Sequence, residues 1–115
     1  MKSDQEFVDN LVRVVKQNYT NPNFDVSSMA AQMKISDRQL QRKVKALTGQ
    51  SPMRHLRQFR LEKSLHYLRD GVPVGEVTKA VGFSSHAYFT SCFKGRFGIT
   101  PNRVQAAQNR RDRAQ

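Results

Sequence analysis

Apolar residues recur every three or four positions along most of the chain, and Gly, Pro, Asn and Ser cut the pattern at intervals. That period predicts helices and no strands. A first helix over residues 4–19 turns Phe7, Leu11, Val14 and Val15 inward and Arg13 and Lys16 outward. Its early acids, Asp4, Glu6 and Asp9, suit the positive end of a helix dipole. Asn21-Pro22-Asn23 stops it. A second helix opens after Asp25, a good N-cap, and carries Met29, Ala30 and Met33. Ile35 packs in the turn. Ser36, with Gln39 three residues on, forms a capping box for a third helix. There Leu40, Val44 and Leu47 are expected to face inward, while Arg38, Gln41, Arg42 and Lys45 share the far face.

Gly49 closes the third helix, and Ser51-Pro52 opens a fourth and longest one, Pro52–Arg69. Met53, Leu56, Leu61, Leu65 and Leu68 form its inward stripe; Arg54, Arg57, Arg60, Lys63 and Arg69 make much of the remainder basic. After Asp70-Gly71, Pro73 starts a short fifth helix with Val74, Val77 and Val81, and Gly82 suits a left-handed turn. The stretch FSSHAYFTSCFKGRFGITP, residues 83–101, holds the sixth helix. Phe89, Phe93 and Phe97 recur every four residues, and with Phe83 and Tyr88 they read as core. The opposite face carries small groups, Ala87, Thr90 and Ser91, with His86 at its start. Gly98 ends this helix, Thr100-Pro101 opens a seventh, and residues 109–115 are expected to be a mobile tail.

The two halves repeat. Val26, Met29, Met33 and Ile35 match Val74, Val77, Val81 and Phe83 at an offset of 48; Leu40, Val44, Gly49 and Pro52 match Phe89, Phe93, Gly98 and Pro101 at 49. Apolar positions, glycines and caps repeat, with one residue inserted near Ser84-Ser85, while the outward residues differ. Each copy is helix, short turn, helix, the layout of a helix-turn-helix whose second helix enters a DNA major groove. The expected fold class is all-α, homeodomain-like. Seven helices form one domain over 1–115, with subdomains 4–51 and 71–108 joined by a linker helix over 52–70. Two reading helices on one duplex face need a separation of about 34 Å. An 18-residue linker spans about 27 Å, so a monomer is expected to read two consecutive grooves of an asymmetric site.

Charge points the same way. The 115 residues hold 20 Lys+Arg against 9 Asp+Glu, a formal charge of +11, which favours a polyanionic partner. Basic residues crowd positions 38–69, where Glu62 is the one acid, and are sparse over 71–109. The single Cys92 excludes an internal disulfide and fits a reducing, cytoplasmic setting. His55, His66 and His86 have no metal-ligand spacing among themselves or with Cys92. No acid/base pair, nucleophile constellation or phosphate-binding glycine loop appears, so no metal, cofactor or catalysis is expected. No apolar run approaches the ~20 residues of a membrane helix, and the first ten residues lack the apolar core of a signal peptide.

These residues resemble the DNA-binding domain of the AraC/XylS family of bacterial transcription regulators. The likeness covers about residues 7–104. It is strongest at Arg60-Leu61, Val77, Ala80, Gly82-Phe83, Tyr88-Phe89, Phe93-Lys94, Phe97-Gly98 and Thr100-Pro101; LQRKVKALTGQSP in the first half is also typical. It is similar to domains at the C-terminal end of long hybrid sensor/response-regulator proteins. The resemblance implies that the third and sixth helices read sequence, through Arg38, Gln41 and Arg42 in one and His86, Ala87, Thr90 and Ser91 in the other. It also implies contact with RNA polymerase. Two positions depart from the common pattern: Thr78 stands where a small apolar residue is frequent, and Ala87 where many relatives are polar.

The chemistry suits those roles. Arg forks onto guanine O6 and N7, Gln onto adenine, and the Ala87 methyl can pack on thymine. Arg38 and Arg42 suit phosphate contact as well as base contact, and His86 suits a base or a phosphate. Lys45, Arg54, Lys94 and Arg96, with the helix starts at Ser51 and Thr100, suit phosphates. The alternative from another class is a helical protein-interaction module with a basic face.

Overall fold

A computed structural model of the chain describes residues 3–114. The described residues form seven helices and no strands: α1 (Asp4–Asn18), α2 (Val26–Met33), α3 (Asp37–Thr48), α4 (Pro52–Arg69), α5 (Val74–Ala80), α6 (His86–Phe97) and α7 (Pro101–Ala114). They divide into an N-terminal unit reaching to Phe59 and a C-terminal unit from Arg60, so the boundary falls inside α4 and each half of that helix belongs to a different core.

In the N-terminal unit α2 packs against α1 and α3. The core gathers Leu11, Val14, Met29, Leu40, Val44 and Leu56, with Met53 and Phe59 packed against it. Phe59 meets Tyr19 edge-on, ring centroids 5.0 Å apart. The helix starts are local devices. Asp25 Oδ1 accepts from the Ser28 N–H at 2.9 Å, a bond that also lowers the Asp25 pKa by favouring the carboxylate. Leu47 departs from the expected inward stripe and is exposed, because that stripe runs a turn past the cover given to Leu40 and Val44.

In the C-terminal unit α5, α6 and α7 pack on one another. Leu61, Leu68, Val77, Val81, Phe83, Phe89 and Phe93 are buried. The aromatic rings run in series, Phe83–Phe89 at 5.1 Å, Phe89–Phe93 at 5.8 Å and Phe93–Phe97 at 4.6 Å between centroids. Gln105 Nε2 donates to the Val72 carbonyl at 2.5 Å and ties α7 to the turn after α4. Two assignments change here. Tyr88 is half exposed rather than core, since it lies a third of a turn off the phenylalanine row. Arg60 is buried rather than part of the basic remainder; burial lowers its pKa, and an electrostatic interaction with Tyr88 partly opposes that shift. The seventh helix also continues through Asn109 to Ala114, across the stretch read as a tail, because Gln105, Ala106, Ala107 and Arg110 are good helix formers. Gln115 lies outside the described residues.

The turn inside each copy needs a left-handed residue at the same repeat position. Gly82 fills it at φ 86°; in the first copy Lys34 does so at φ 61°. A non-glycine residue there costs about 1–2 kcal/mol, against about 0.5–1 kcal/mol of extra chain entropy lost by glycine. Lys34→Gly is therefore expected to stabilise the N-terminal unit by about 0.5–1 kcal/mol, read as a raised urea midpoint; an unchanged or lowered midpoint would contradict the strain.

Candidate nucleic-acid interface

Helix α3 is held at both ends by its own sequence. Ser36 Oγ accepts from the Gln39 N–H, and Gln39 Oε1 from the Ser36 N–H, each at 3.1 Å. Gly49, at φ 77°, donates its N–H to the Lys45 carbonyl. With Leu40 and Val44 fully buried on one side, Arg38, Gln41, Arg42 and Lys45 are exposed together on the other. Arg38, Gln41 and Arg42 make no hydrogen bond or ion pair within the described residues. Lys45 differs: its Nζ donates to the Gly49 carbonyl at 2.9 Å and so closes the end of its own helix.

Helix α6 repeats the plan. Ser85 Oγ accepts from the Tyr88 N–H at 3.2 Å, and Gly98, at φ 80°, donates to the Lys94 carbonyl. Phe89 and Phe93 are fully buried, while His86, Ala87, Ser91 and Lys94 are exposed and Thr90 is half-buried at the edge of the aromatic face. His86 is not simply a surface residue. Its Nδ1 lies 3.0 Å from the hydroxyl of Thr78, which is buried in α5. In the sequence Thr78 stands out only as a departure from the family pattern, with no partner assigned to it. The signal was present: a hydroxyl at the inward position matched by Ala30 in the first copy, eight residues before a histidine.

The residues expected at phosphates lie at helix ends. Ser51 Oγ accepts from the Arg54 N–H and Thr100 Oγ1 from the Arg103 N–H, both at 3.3 Å. Arg54 is exposed beside the first of these. Arg96 sits 3.8 Å from Glu62, with the two side chains 47% and 61% exposed. So open an ion pair is worth about 0–1 kcal/mol and exchanges easily for another anion. At the join of α3 and α4, Thr48 donates to the Val44 carbonyl at 2.7 Å and meets His55 Nε2 at 2.7 Å. Burial lowers the His55 pKa, favouring the neutral ring.

The arrangement is a pair of capped helices, each anchored by a buried face and presenting polar side chains outward, in a strongly basic chain. No helix among the described residues is long and apolar enough to cross a membrane. A family model described as a helix-turn-helix domain matches residues 29–107. Among curated proteins, the chain is 28% identical over 103 residues to Histidine kinase P4 of Formosa agariphila, covering 89% of this chain and 8% of that protein. It is 32% identical over 101 residues to the HTH-type transcriptional activator RhaR of Pectobacterium atrosepticum, covering 87% of this chain and 35% of the activator. The chain thus spans a small part of the length of these relatives. Among solved structures, it resembles the C-terminal domain of the two-component response regulator yesN from Fusobacterium nucleatum, with TM-score 0.80 and 25% identity, covering 85% of this chain and 96% of that one. It resembles the DNA-binding domain of the global transcriptional factor AdpA, solved with a target DNA, with TM-score 0.79 and 28% identity, covering 89% and 95%. The chain belongs to the AraC-type helix-turn-helix family and fits a C-terminal DNA-binding domain.

Proposed function

We propose that one copy of this domain binds an asymmetric duplex site of about 20 base pairs by placing α3 and α6 in consecutive major grooves. The observation that carries this reading is the chemical difference between two helices built on one plan. At matched repeat positions α3 exposes Arg38 and Arg42 where α6 exposes Ala87 and Ser91. Equal readers would favour two equal half-sites; unequal ones favour two different halves. The 18 residues of α4 give it a length of about 27 Å, of the order of one helical repeat of DNA.

In this reading Arg38, Gln41 and Arg42 contact base edges through α3, and His86, Ala87, Thr90 and Ser91 through α6. Lys45, Ser51, Arg54, Lys94, Arg96 and Thr100 hold phosphates. The bond from Lys45 to the end of its own helix makes its share of that work weaker than that of Arg54. The domain acts without cofactor or catalysis, as a monomer in the cytoplasm, and a surface outside the DNA-facing helices meets RNA polymerase.

Selecting binding sites from random duplexes tests the proposal. The expected outcome is a non-palindromic consensus spanning two helical turns, retained by one molecule per duplex in mobility-shift titrations. A short perfect palindrome occupied by two copies would overturn it. An interaction module with a merely basic face would select no sequence at all.

A further inference from the structure

The Thr78 hydroxyl carries one proton. It donates to the Val74 carbonyl at 3.2 Å, and the same oxygen lies 3.0 Å from His86 Nδ1. A carbonyl can only accept; a hydroxyl that gives it the proton accepts in turn from the imidazole, whose Nδ1 then carries the ring hydrogen. In a neutral ring Nε2 is then left as a bare acceptor. Thr78 is 4% exposed, so the hydroxyl is fixed by its packing, while His86 stands exposed at the first position of α6. The corresponding residue of the first copy, Ala30, has no group that could do this.

We propose that Thr78 is a specificity-determining positioning residue: it holds His86 in the Nδ1–H tautomer, so that Nε2 accepts a hydrogen bond from a base edge. In the major groove the donors are the amino groups of adenine N6 and cytosine N4, whereas guanine offers acceptors there. The α6 half of the site should therefore contain one position where adenine or cytosine is preferred. Without the lock, the ring is free to take the Nε2–H tautomer favoured by imidazole in water, which turns the outward atom into a donor and suits guanine or phosphate instead. This inference rests on the reading that α6 faces DNA.

The tautomer is measured first, on the free protein, from long-range ¹H–¹⁵N correlations at alkaline pH, with His86 assigned from the spectrum of His86→Gln. Wild-type protein should show Nδ1 protonated; Thr78→Ser, which keeps the hydroxyl, should match it; Thr78→Val should shift toward Nε2–H. Sites are then selected from random duplexes with each protein. Thr78→Val should lose about five- to tenfold of preference at a single base pair and admit guanine there, and Thr78→Ser should restore the preference. A wild-type His86 protonated on Nε2 would overturn the proposal, even if Thr78→Val does not fold. So would identical consensus sequences from wild type and Thr78→Val. A wild-type protein that selects no sequence would remove the DNA-reading role on which the inference rests; that failure is distinguishable because the tautomer is read without DNA.

Discussion

Phe89→Ala is expected to unfold the C-terminal unit while leaving most of the N-terminal unit protected. Phe89 is fully buried and touches Phe83 on one side and Phe93 on the other, with centroids 5.1 and 5.8 Å away. Truncating a phenylalanine in such a place costs about 3–5 kcal/mol, the sum of lost transfer energy and the cavity left behind. A unit of roughly this size seldom has more than about 3–5 kcal/mol to lose. The N-terminal unit has its own core around Leu40, the residue matched to Phe89 in the repeat. Native-state hydrogen exchange separates the two. Amides of α5 to α7 should lose protection in the variant, and those of α2 and α3 should retain most of theirs. Unchanged exchange in α6 would mean that the aromatic row is not what holds this unit together.

That prediction can be made because the aromatic row was legible in the sequence, and the reason is physical. A four-residue period, a serine or aspartate before it and a glycine after it act over a single helical turn, so Ser36, Gly49, Ser85 and Gly98 announce their helices without help from the rest of the chain. What lies more than a turn away is less visible. Leu47 continues the α3 period but is exposed, and Arg60 sits among charged neighbours in sequence but is buried. Both depend on where other helices end. The bond from Thr78 to His86 joins α5 to α6 across a turn that carries the inserted residue of the second copy, so no single-helix pattern announces it. The basic face of α3 was legible as residue types, and burial of Leu40 and Val44 is what puts those types on one exposed side.

Arg42→Ala should weaken binding to the selected duplex by roughly 5- to 150-fold, the equivalent of about 1–3 kcal/mol, and should relax preference at one base pair. Arg42 is exposed, lies one turn from Arg38 and beside Gln41, and is engaged by no partner among the described residues, so its guanidinium fork is available. Charge alone does not explain the expected loss, and two comparisons isolate the remainder. Arg42→Lys keeps the charge but loses the planar pair of donors, so it should retain affinity for random duplex while losing discrimination. Arg54→Ala removes an exposed cation at the start of α4. It should weaken all sequences about equally and reduce the slope of log K against log salt by about 1. Titrations of selected and random duplexes at several salt concentrations give both quantities. If Arg42→Lys still discriminates as well as wild type, or if Arg42→Ala and Arg54→Ala weaken every duplex alike, Arg42 serves phosphate and the reading of bases by α3 falls to Arg38 and Gln41.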